Sequence, residues 1–359
     1  MENMEINQPQ LWKNKTVLVT GQTGFKGTWL TMMLLQLGAK VIGISEPNPV
    51  IENFFYGQMD LKKHIQSGQL TEIRQDLALG LNLKSSVDFV FHLAAQSVVG
   101  ESYQNPVKTY QSNVMGSVYL LDWIQKQSIP PLVLYITTDK VYQKSVNSLY
   151  DEKHPLGGFQ DPYSTSKACA DLIAQSYYES FYRSRNIRMA VLRSGNVIGG
   201  GDDRNHRLVP DVMRHLFLKT PIEIRTAQAV RPWQSVFEVL KGYLNVATYL
   251  SNRTPDLKVF NLGPSPEDHW TVEQILNYLN QIDQSNGWMD IKYINNQRTV
   301  DASPLFLNSD QIQTELNIQF RPHLQKTLDE TYKWYQTYYN RPGDIARVSQ
   351  ELIQQHVPV

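Results

Sequence analysis

Short apolar runs alternate with helix-length segments along the first half of the chain. The runs with the length and composition of buried strands are Thr16–Thr20, Lys40–Ser45, Asp88–Ala94, Leu132–Thr137 and Arg188–Arg193. The segments with helical spacing are 29–37, 107–127 and 163–184, and residues 61–79 predict a further helix and a short strand near Ile73. Strands that are apolar almost throughout, separated by helices, are typical of a parallel sheet covered on both faces. We therefore predict an α/β fold with a doubly wound parallel sheet.

The pattern becomes less regular from Gly199 onward. A GGGDD run at 199–203 is followed by several prolines, a short strand at 222–225 and helices near 236–250 and 271–282. We predict that residues 1–198 form a cofactor-binding domain and residues 199–359 a smaller C-terminal lobe that binds the substrate. Some segments are expected to cross between the two.

Composition narrows the class of protein. A length of 359 residues suits about two domains. Lys+Arg and Asp+Glu both number 34, so no overall charge favours nucleic acid or an anionic membrane. The single cysteine, Cys169, excludes an internal disulfide framework and a multi-cysteine metal site. With a polar start and no membrane-length apolar run, we expect a cytoplasmic protein with no nucleic-acid partner, no membrane partner and no metal.

Three glycines follow the first strand directly. Gly21, Gly24 and Gly27 lie between this strand and a helix, where glycine permits a tight turn and brings a helix N-terminus close to a pyrophosphate. This context predicts a Rossmann-like dinucleotide site, whereas a glycine triplet alone would indicate an ordinary turn. Ser45 and Glu46 end the second strand, where an acidic ribose ligand is expected. No arginine stands beside them for a 2′-phosphate, which favours NAD over NADP; the alternative for Glu46 is a solvated loop residue.

Two further motifs carry candidate chemistry. Tyr163 and Lys167 are four residues apart, so they share one helix face. A phenol with a pKa of about 10 is a poor base at neutral pH, but a neighbouring ammonium favours the phenolate. We predict that Tyr163 accepts a hydroxyl proton during hydride transfer. Thr138, Asp139 and Lys140 end a strand at the sheet edge where such folds bind ligands, with an ion-paired loop as the alternative.

With these motifs the chain resembles the extended short-chain dehydrogenase/reductase family over nearly its whole length. The resemblance also rests on HLAAQ at 92–96, NVMG at 113–116 and RSGNV at 193–197. Within the family it is similar to the nucleotide-sugar 4,6-dehydratases that act on CDP-glucose, through GQTGFKGTW at 21–29 and RPWQSV at 231–236. The family's epimerases lack an acid followed by a second ionisable residue after the threonine, so TTDKVY at 137–142 favours a dehydratase.

The resemblance implies oxidation at C4 of a hexose, loss of water across C5 and C6, and return of the hydride to C6, for deoxysugar and cell-surface polysaccharide biosynthesis. The catalytic residues it implies are Thr138, Asp139, Lys140, Tyr163 and Lys167. The NAD contacts it implies are Gly21, Thr23, Gly24, Phe25, Lys26, Gly27, Ser45, Glu46, Asp76, Leu77, Ala94, Ala95, Gln96, Asn113, Thr137, Tyr163 and Lys167. The expected substrate contacts, in which arginines suit a diphosphate, are Gln96, Ser97, Asn196, Arg207, Arg225, Arg231 and Gln234.

The chain departs from the family pattern at three positions. Gln22, Gly100 and Asp203 stand where the pattern commonly has His, Arg and Trp. The first touches the pyrophosphate turn and the other two lie near the substrate, so the nucleotide base and the sugar stay open. The alternatives are a dehydratase or 4-epimerase of another nucleotide sugar, or an NAD-binding regulator without catalysis. The intact catalytic residues argue against the last.

The resemblance also implies an assembly. Extended members of the family commonly pair through two helices that flank the site, here 107–127 and 163–184. We therefore expect a homodimer or a dimer-based tetramer. The apolar residues expected in the interface are Val118, Leu121, Ile173 and Tyr177.

Overall fold

The computed structural model describes residues 8–48, 54–145, 149–158, 161–283, 290–294, 305–320 and 323–357. Its strands are β1 (Thr16–Thr20), β2 (Lys40–Ser45), β3 (Leu70–Arg74), β4 (Phe89–His92), β5 (Leu132–Thr138), β6 (Leu149–Tyr150), β7 (Met189–Ser194), β8 (Asn196–Ile198), β9 (Ile222–Ile224), β10 (Val230–Ser235), β11 (Leu257–Leu262), β12 (His269–Thr271), β13 (Ile291–Tyr293) and β14 (Phe306–Leu307). Its α-helices are α1 (Phe25–Gln36), α2 (Lys62–Gln66), α3 (Val99–Gln104), α4 (Pro106–Tyr110), α5 (Gly116–Gln125), α6 (Pro162–Tyr177), α7 (Leu208–Leu218), α8 (Val236–Ser251), α9 (Val272–Ile282), α10 (Asp310–Leu316), α11 (Leu324–Asn340) and α12 (Ile345–His356).

Seven strands form the central sheet, in the order β11-β7-β5-β4-β1-β2-β3. All six neighbouring pairs are parallel. After β1, the chain first adds β2 and β3 toward one edge of the sheet, and then adds β4, β5, β7 and β11 toward the other edge. The direction in which strands are added therefore reverses between β1 and β4, which is the position where open sheets of this kind bind ligands. The predicted doubly wound parallel sheet is confirmed.

Helices cover both faces of the sheet. On one face α1 packs against α8 and α12, and Trp29, Phe237 and Trp334 are fully or almost fully buried there. On the other face α5 and α6 enclose a second core with strand residues such as Val90 and Val133. Near-complete burial on both faces explains why these strands read as continuous apolar runs.

The first helix begins four residues earlier than its apolar pattern predicts. It starts at Phe25 instead of Trp29, because Gly24 occupies the position before it and its carbonyl accepts from Thr28 N at 2.8 Å. The two longer helical segments were predicted close to their observed bounds, although each contains a π-helical turn, at Gln111–Met115 and at Tyr178–Tyr182.

Residues beyond 199 also contribute to the central sheet. Strand β11 pairs with β7 at its edge, and α8 packs on one sheet face. The boundary at residue 199 stays a prediction, and these two segments cross it. Within the described ranges, no helix has both the length and the apolar character to cross a membrane.

One residue expected in the dimer interface, Leu121, is buried inside the protein. It has no exposed surface and packs toward the sheet in the second core. The sequence pattern could not distinguish the inner from the outer apolar stripe of this helix, because both contain large apolar residues. The outward side carries Val107, Tyr110, Met115 and Tyr119, which are all exposed.

Candidate functional site

A cavity of about 1130 Å³ lies between the carboxyl ends of the sheet strands and the segments beyond residue 199. It includes the point where the strand order reverses, between β1 and β4. Most of the predicted site residues line it, and they are Gly21, Thr23, Gly24, Phe25, Lys26, Gly27, Ser45, Glu46, Asp76, Leu77, Ala94, Ala95, Gln96, Ser97, Thr137, Thr138, Asp139, Lys140, Tyr163, Asn196, Arg207, Arg225 and Arg231.

Three predicted residues lie behind the cavity wall. Asn113 is buried, and its side chain accepts from Gln96 N at 2.7 Å and donates to Gln96 O at 3.0 Å, so it holds the loop after β4. Lys167 donates from Nζ to the carbonyl of Ile136 at 3.0 Å. Gln234 is buried in β10. Asn113 and Lys167 therefore shape the cavity from behind in this structure.

The glycine turn fits a dinucleotide pyrophosphate. Gly21 has a φ of +74°, and a Cβ there would lie 2.9 Å from the backbone nitrogen of Ala94. A Cβ on Gly27 would lie 2.0 Å from the carbonyl oxygen of Gly21. Both positions thus require glycine, and the turn leaves the N-terminus of α1 open to the cavity, where it favours an anion.

An ion pair stands at the expected ribose end. Glu46 Oε1 accepts from Lys108 Nζ at 2.8 Å, and both side chains are about half exposed. The hydrogen bond to Glu46 raises the pKa of Lys108. Sequence proximity could not reveal Lys108, because it is 62 residues away along the chain. Asp76 nearby accepts from Ala78 N at 2.9 Å, which fixes the loop expected to contact the adenine.

The structure brings the predicted acid and cation together at the end of β5. Thr138 Oγ1 donates to Asp139 Oδ1 at 2.7 Å, and Lys140 Nζ is 3.8 Å from the same oxygen. Thr138 and Asp139 are buried, whereas the Lys140 side chain is about one-third exposed. This end of the cavity therefore presents a carboxyl group and an amino group within 3.8 Å of each other.

Tyr163 stands beside this group. Burial of the phenol raises its pKa, whereas the charge of Lys140, a hydrogen bond with Thr138 and the charge of Arg207 lower it. The nearby ammonium that favours the phenolate is thus that of Lys140, since Lys167 is turned to the Ile136 carbonyl. The expected role of Lys167 beside the phenol is not visible in this arrangement of side chains.

One of the predicted substrate arginines is held in place by contacts within the protein. Arg207 donates from Nη1 to Asp202 Oδ2 at 2.8 Å and from Nη2 to Ser97 Oγ at 3.0 Å. These contacts fix the guanidinium at the cavity wall, with donor capacity left for a phosphate. Arg225 and Arg231 line the same cavity.

A buried ion pair supports α6, the helix that carries Tyr163 and Lys167. Asp171 lies one turn after Lys167 on α6, and its carboxylate accepts two hydrogen bonds from Arg193, both 2.9 Å long. The same carboxylate accepts from Thr137 Oγ1 at 2.9 Å. The pair therefore ties α6 to β5 and β7 directly beneath the site.

Sequence reasoning missed three supporting residues. Asp202 holds Arg207, Lys108 pairs with Glu46, and the hydroxyl of Tyr243 accepts from Lys26 Nζ at 3.3 Å. Asp202 lies in the GGGDD run, whose two acidic residues could have marked it as a candidate site residue. Nothing in the sequence marks Tyr243 in this way, because it lies in an apolar helix far along the chain. Across the described residues, no group of three or more His, Cys, Asp or Glu side chains could hold a metal ion.

Comparison with known proteins gives consistent results. The model of the NAD dependent epimerase/dehydratase family matches residues 17–263. CDP-glucose 4,6-dehydratase of Salmonella typhimurium is 34% identical over 337 residues, which cover 91% of this chain and 92% of that protein. UDP-glucose 4-epimerase of Erwinia amylovora is 23% identical, with 89% and 97% covered. The solved epimerase Mth375 of Methanothermobacter thermautotrophicus shares the fold, with a TM-score of 0.79, 20% identity and 98% of both chains covered.

Proposed function

This chain belongs to the NAD dependent epimerase/dehydratase family, and we propose that it converts CDP-glucose to CDP-4-keto-6-deoxyglucose. The dependence of the family on NAD confirms the predicted cofactor. The observation that carries the proposal is the Thr138, Asp139 and Lys140 group beside Tyr163. An epimerase needs one proton-transfer group at C4, whereas an elimination needs an additional acid and base. CDP as the nucleotide is supported by the relative that is 34% identical over nearly the whole chain.

The residues of the cavity suit the binding of NAD. The glycine turn and the N-terminus of α1 would hold the pyrophosphate, Glu46 the adenine ribose, and Asp76 with Leu77 the adenine. When bound, NAD accepts the hydride from C4 and supplies it again for C6. The protein's own side chains then have to move the protons and bind the diphosphate. Arg207 supports the binding of the diphosphate.

Tyr163 is assigned to the proton of the C4 hydroxyl. Burial, with a smaller contribution from the charge of Asp139, raises the pKa of this phenol, and the positive charges of Lys140 and Arg207 oppose that effect. The two cations therefore reduce the cost of forming the phenolate when the C4 hydroxyl has to lose its proton. The ketone that forms at C4 acidifies the C5–H bond, so elimination becomes feasible only after this first step.

Lys140 and Asp139 are assigned to the elimination. Lys140, acting as a neutral amine, removes the C5 proton, the C6–O bond breaks, and Asp139, acting as a carboxylic acid, protonates the departing hydroxyl to form water. The step leaves an ammonium at Lys140 and a carboxylate at Asp139.

An isotope experiment tests the proposal. CDP-glucose deuterated at C4 is incubated with the enzyme and NAD, and the product is analysed by mass spectrometry and NMR. A dehydratase yields a product that has lost one water and carries the deuterium at C6. Inversion of the configuration at C4, with the deuterium retained there and no loss of water, would identify an epimerase, and no reaction with any nucleotide sugar would indicate a regulator.

We also propose that the protein is a homodimer, which could pair further into a tetramer. The helical segments that flank the site, together with α3, carry several exposed apolar side chains. They are Tyr103, Val107, Tyr110, Met115, Tyr119, Leu172 and Phe181. Exposed apolar side chains in this number support association with a second copy.

A further inference from the structure

A lysine stands beside the acidic residue that is expected to contact the adenine ribose. Lys108 Nζ donates to Glu46 Oε1 at 2.8 Å, and both side chains line the cavity. Glu46 follows β2, whereas Lys108 lies on α4, which follows β4 along the chain. The ion pair therefore joins the two sides of the point where the strand order reverses. Lys108 is not one of the predicted NAD contacts.

Further carboxylates surround this ion pair. Asp76 and Glu101 line the same cavity as Glu46 and Lys108. The hydrogen bond to Glu46 raises the pKa of Lys108, partial burial opposes this, and the charges of Glu46, Glu101 and Asp76 add to the increase. The ammonium is therefore charged at neutral pH. Because three carboxylates act on one ammonium, a further negative group beside Glu46 is repelled.

NAD and NADP differ at the adenine ribose. NAD has a hydroxyl at the 2′ position, which a carboxylate can accept from, whereas NADP has a phosphate there, which requires a cation. Glu46 uses Oε1 for Lys108, and an ionised carboxylate has acceptor positions on both oxygens, so it can still accept from a ribose hydroxyl. An ammonium has several donors, which suit a phosphate when no carboxylate engages them.

A second cation near the end of β2 has different surroundings. Arg74 ends β3, the strand beside β2. Its Nη2 donates to Glu72 Oε1 at 3.1 Å, and its guanidinium lies 5.6 Å from the centre of the Tyr56 ring. In the part of the chain that the structure describes, Arg74 does not line the cavity. The cation that faces the cavity beside Glu46 is therefore Lys108.

We infer that Lys108 and Glu46 together determine the choice between NAD and NADP. While Lys108 is bound to the carboxylate, the pair accepts the ribose hydroxyls of NAD and excludes a phosphate. When the carboxylate is removed, the same ammonium binds the 2′-phosphate of NADP. Lys108 is thus a specificity-determining residue. The inference rests on the proposed position of the adenine ribose at Glu46 but not on the identity of the nucleotide sugar.

Competition between the two dinucleotides tests the inference. Each protein is equilibrated with equal concentrations of NAD and NADP, separated from unbound dinucleotide and denatured, and the released dinucleotides are quantified by chromatography. Glu46→Gln should raise the bound ratio of NADP to NAD at least about tenfold, because a repelling charge is lost and Lys108 is released. The double variant Glu46→Gln/Lys108→Met should lose at least about threefold of this gain, the scale of one partly exposed ionic contact.

Two further variants in the Glu46→Gln background separate a charge effect from a structural one. Lys108→Arg keeps a cation at this position, so it should retain the gain. The gain should also weaken when the salt concentration rises from about 0.05 to about 0.5 M, because salt screens exposed charges. Arg74→Met is the matched control, since Arg74 also pairs with a glutamate near β2 but lies outside the cavity lining. It should leave the bound ratio unchanged.

Three results would overturn the inference. They are an unchanged ratio in Glu46→Gln, a gain that survives Lys108→Met, and a gain that is lost in Arg74→Met. The mixture contains no nucleotide sugar, so the bound ratio can be interpreted even if CDP-glucose is not the substrate. A failure of the proposed function would therefore appear only in turnover assays, and a failure of this inference only in the bound ratio.

Discussion

Replacement of Arg193 by methionine tests the account of how helix α6, which carries Tyr163, is held in place. The side chains of Arg193 and Asp171 are 2% and 0% exposed, and two hydrogen bonds of 2.9 Å join them. Arg193 also donates from Nη1 to the Tyr142 hydroxyl at 2.9 Å. Methionine retains much of the apolar stem of the side chain but none of these donors. Among the described residues, Asp171 then keeps the side-chain donors of Thr137 and Gln175.

The expected cost follows from the charge that is left behind. Removal of one partner of a buried pair costs about 3–5 kcal/mol, because the remaining charge stays desolvated. A second substitution, Asp171→Leu, removes that charge, so the double variant should lose less than the sum of the two single losses. Urea unfolding followed by far-UV circular dichroism measures all four proteins, and their free energies of unfolding form a double-mutant cycle.

Arg183→Met is a close control because its ion pair has the same geometry in solvent. Arg183 binds Glu179 through two hydrogen bonds of 2.8 and 2.6 Å, but the two side chains are 61% and 54% exposed. Its removal should leave the urea midpoint unchanged. The reasoning is refuted if Arg193→Met unfolds at the wild-type midpoint, or if the losses in the cycle are simply additive.

Three further predictions concern catalysis and assembly. Tyr163→Phe should bind nucleotide sugar normally but lower hydride transfer by at least about 10²-fold in a stopped-flow absorbance assay, and near-normal turnover would contradict the assignment. Lys140→Ala should still reduce bound NAD but should no longer exchange the C5 hydrogen with deuterated water; exchange at the wild-type rate would show that another group is the C5 base. Leu172→Glu places a charge among these exposed apolar side chains and should give a monomeric mass by light scattering at micromolar protein, whereas a wild-type protein that is already monomeric would reject the dimer.

Most strands of the central sheet could be predicted from the sequence alone. Five of its strands are apolar on both faces, so they stood out as runs, and the glycine turn located the cavity. Strand β11 was not predicted, because LKVFNL mixes polar residues into an edge strand that follows a less regular region. Edge strands need less burial and so leave a weaker pattern.

The contacts that arrange the site could be predicted only in part. Thr138, Asp139 and Lys140 are neighbours in sequence, so their proximity was expected. The cation beside Tyr163 could not be assigned from four-residue spacing, since that spacing places Lys167 on the correct helix face but does not show that it bonds to Ile136. The partnership of Glu46 with Lys108 joins residues far apart in the chain, and only the folded structure reveals it.

The most direct test of the proposed activity is a comparison of nucleotide sugars. The purified protein is incubated with NAD and, separately, with CDP-glucose, dTDP-glucose, GDP-glucose and UDP-glucose, and each mixture is followed by mass spectrometry. Asp139 and Lys140 predict a product that has lost one water, and the similarity to the Salmonella dehydratase predicts that only CDP-glucose gives it. Dehydration of another nucleotide sugar in place of CDP-glucose, or conversion without loss of water, would contradict the account.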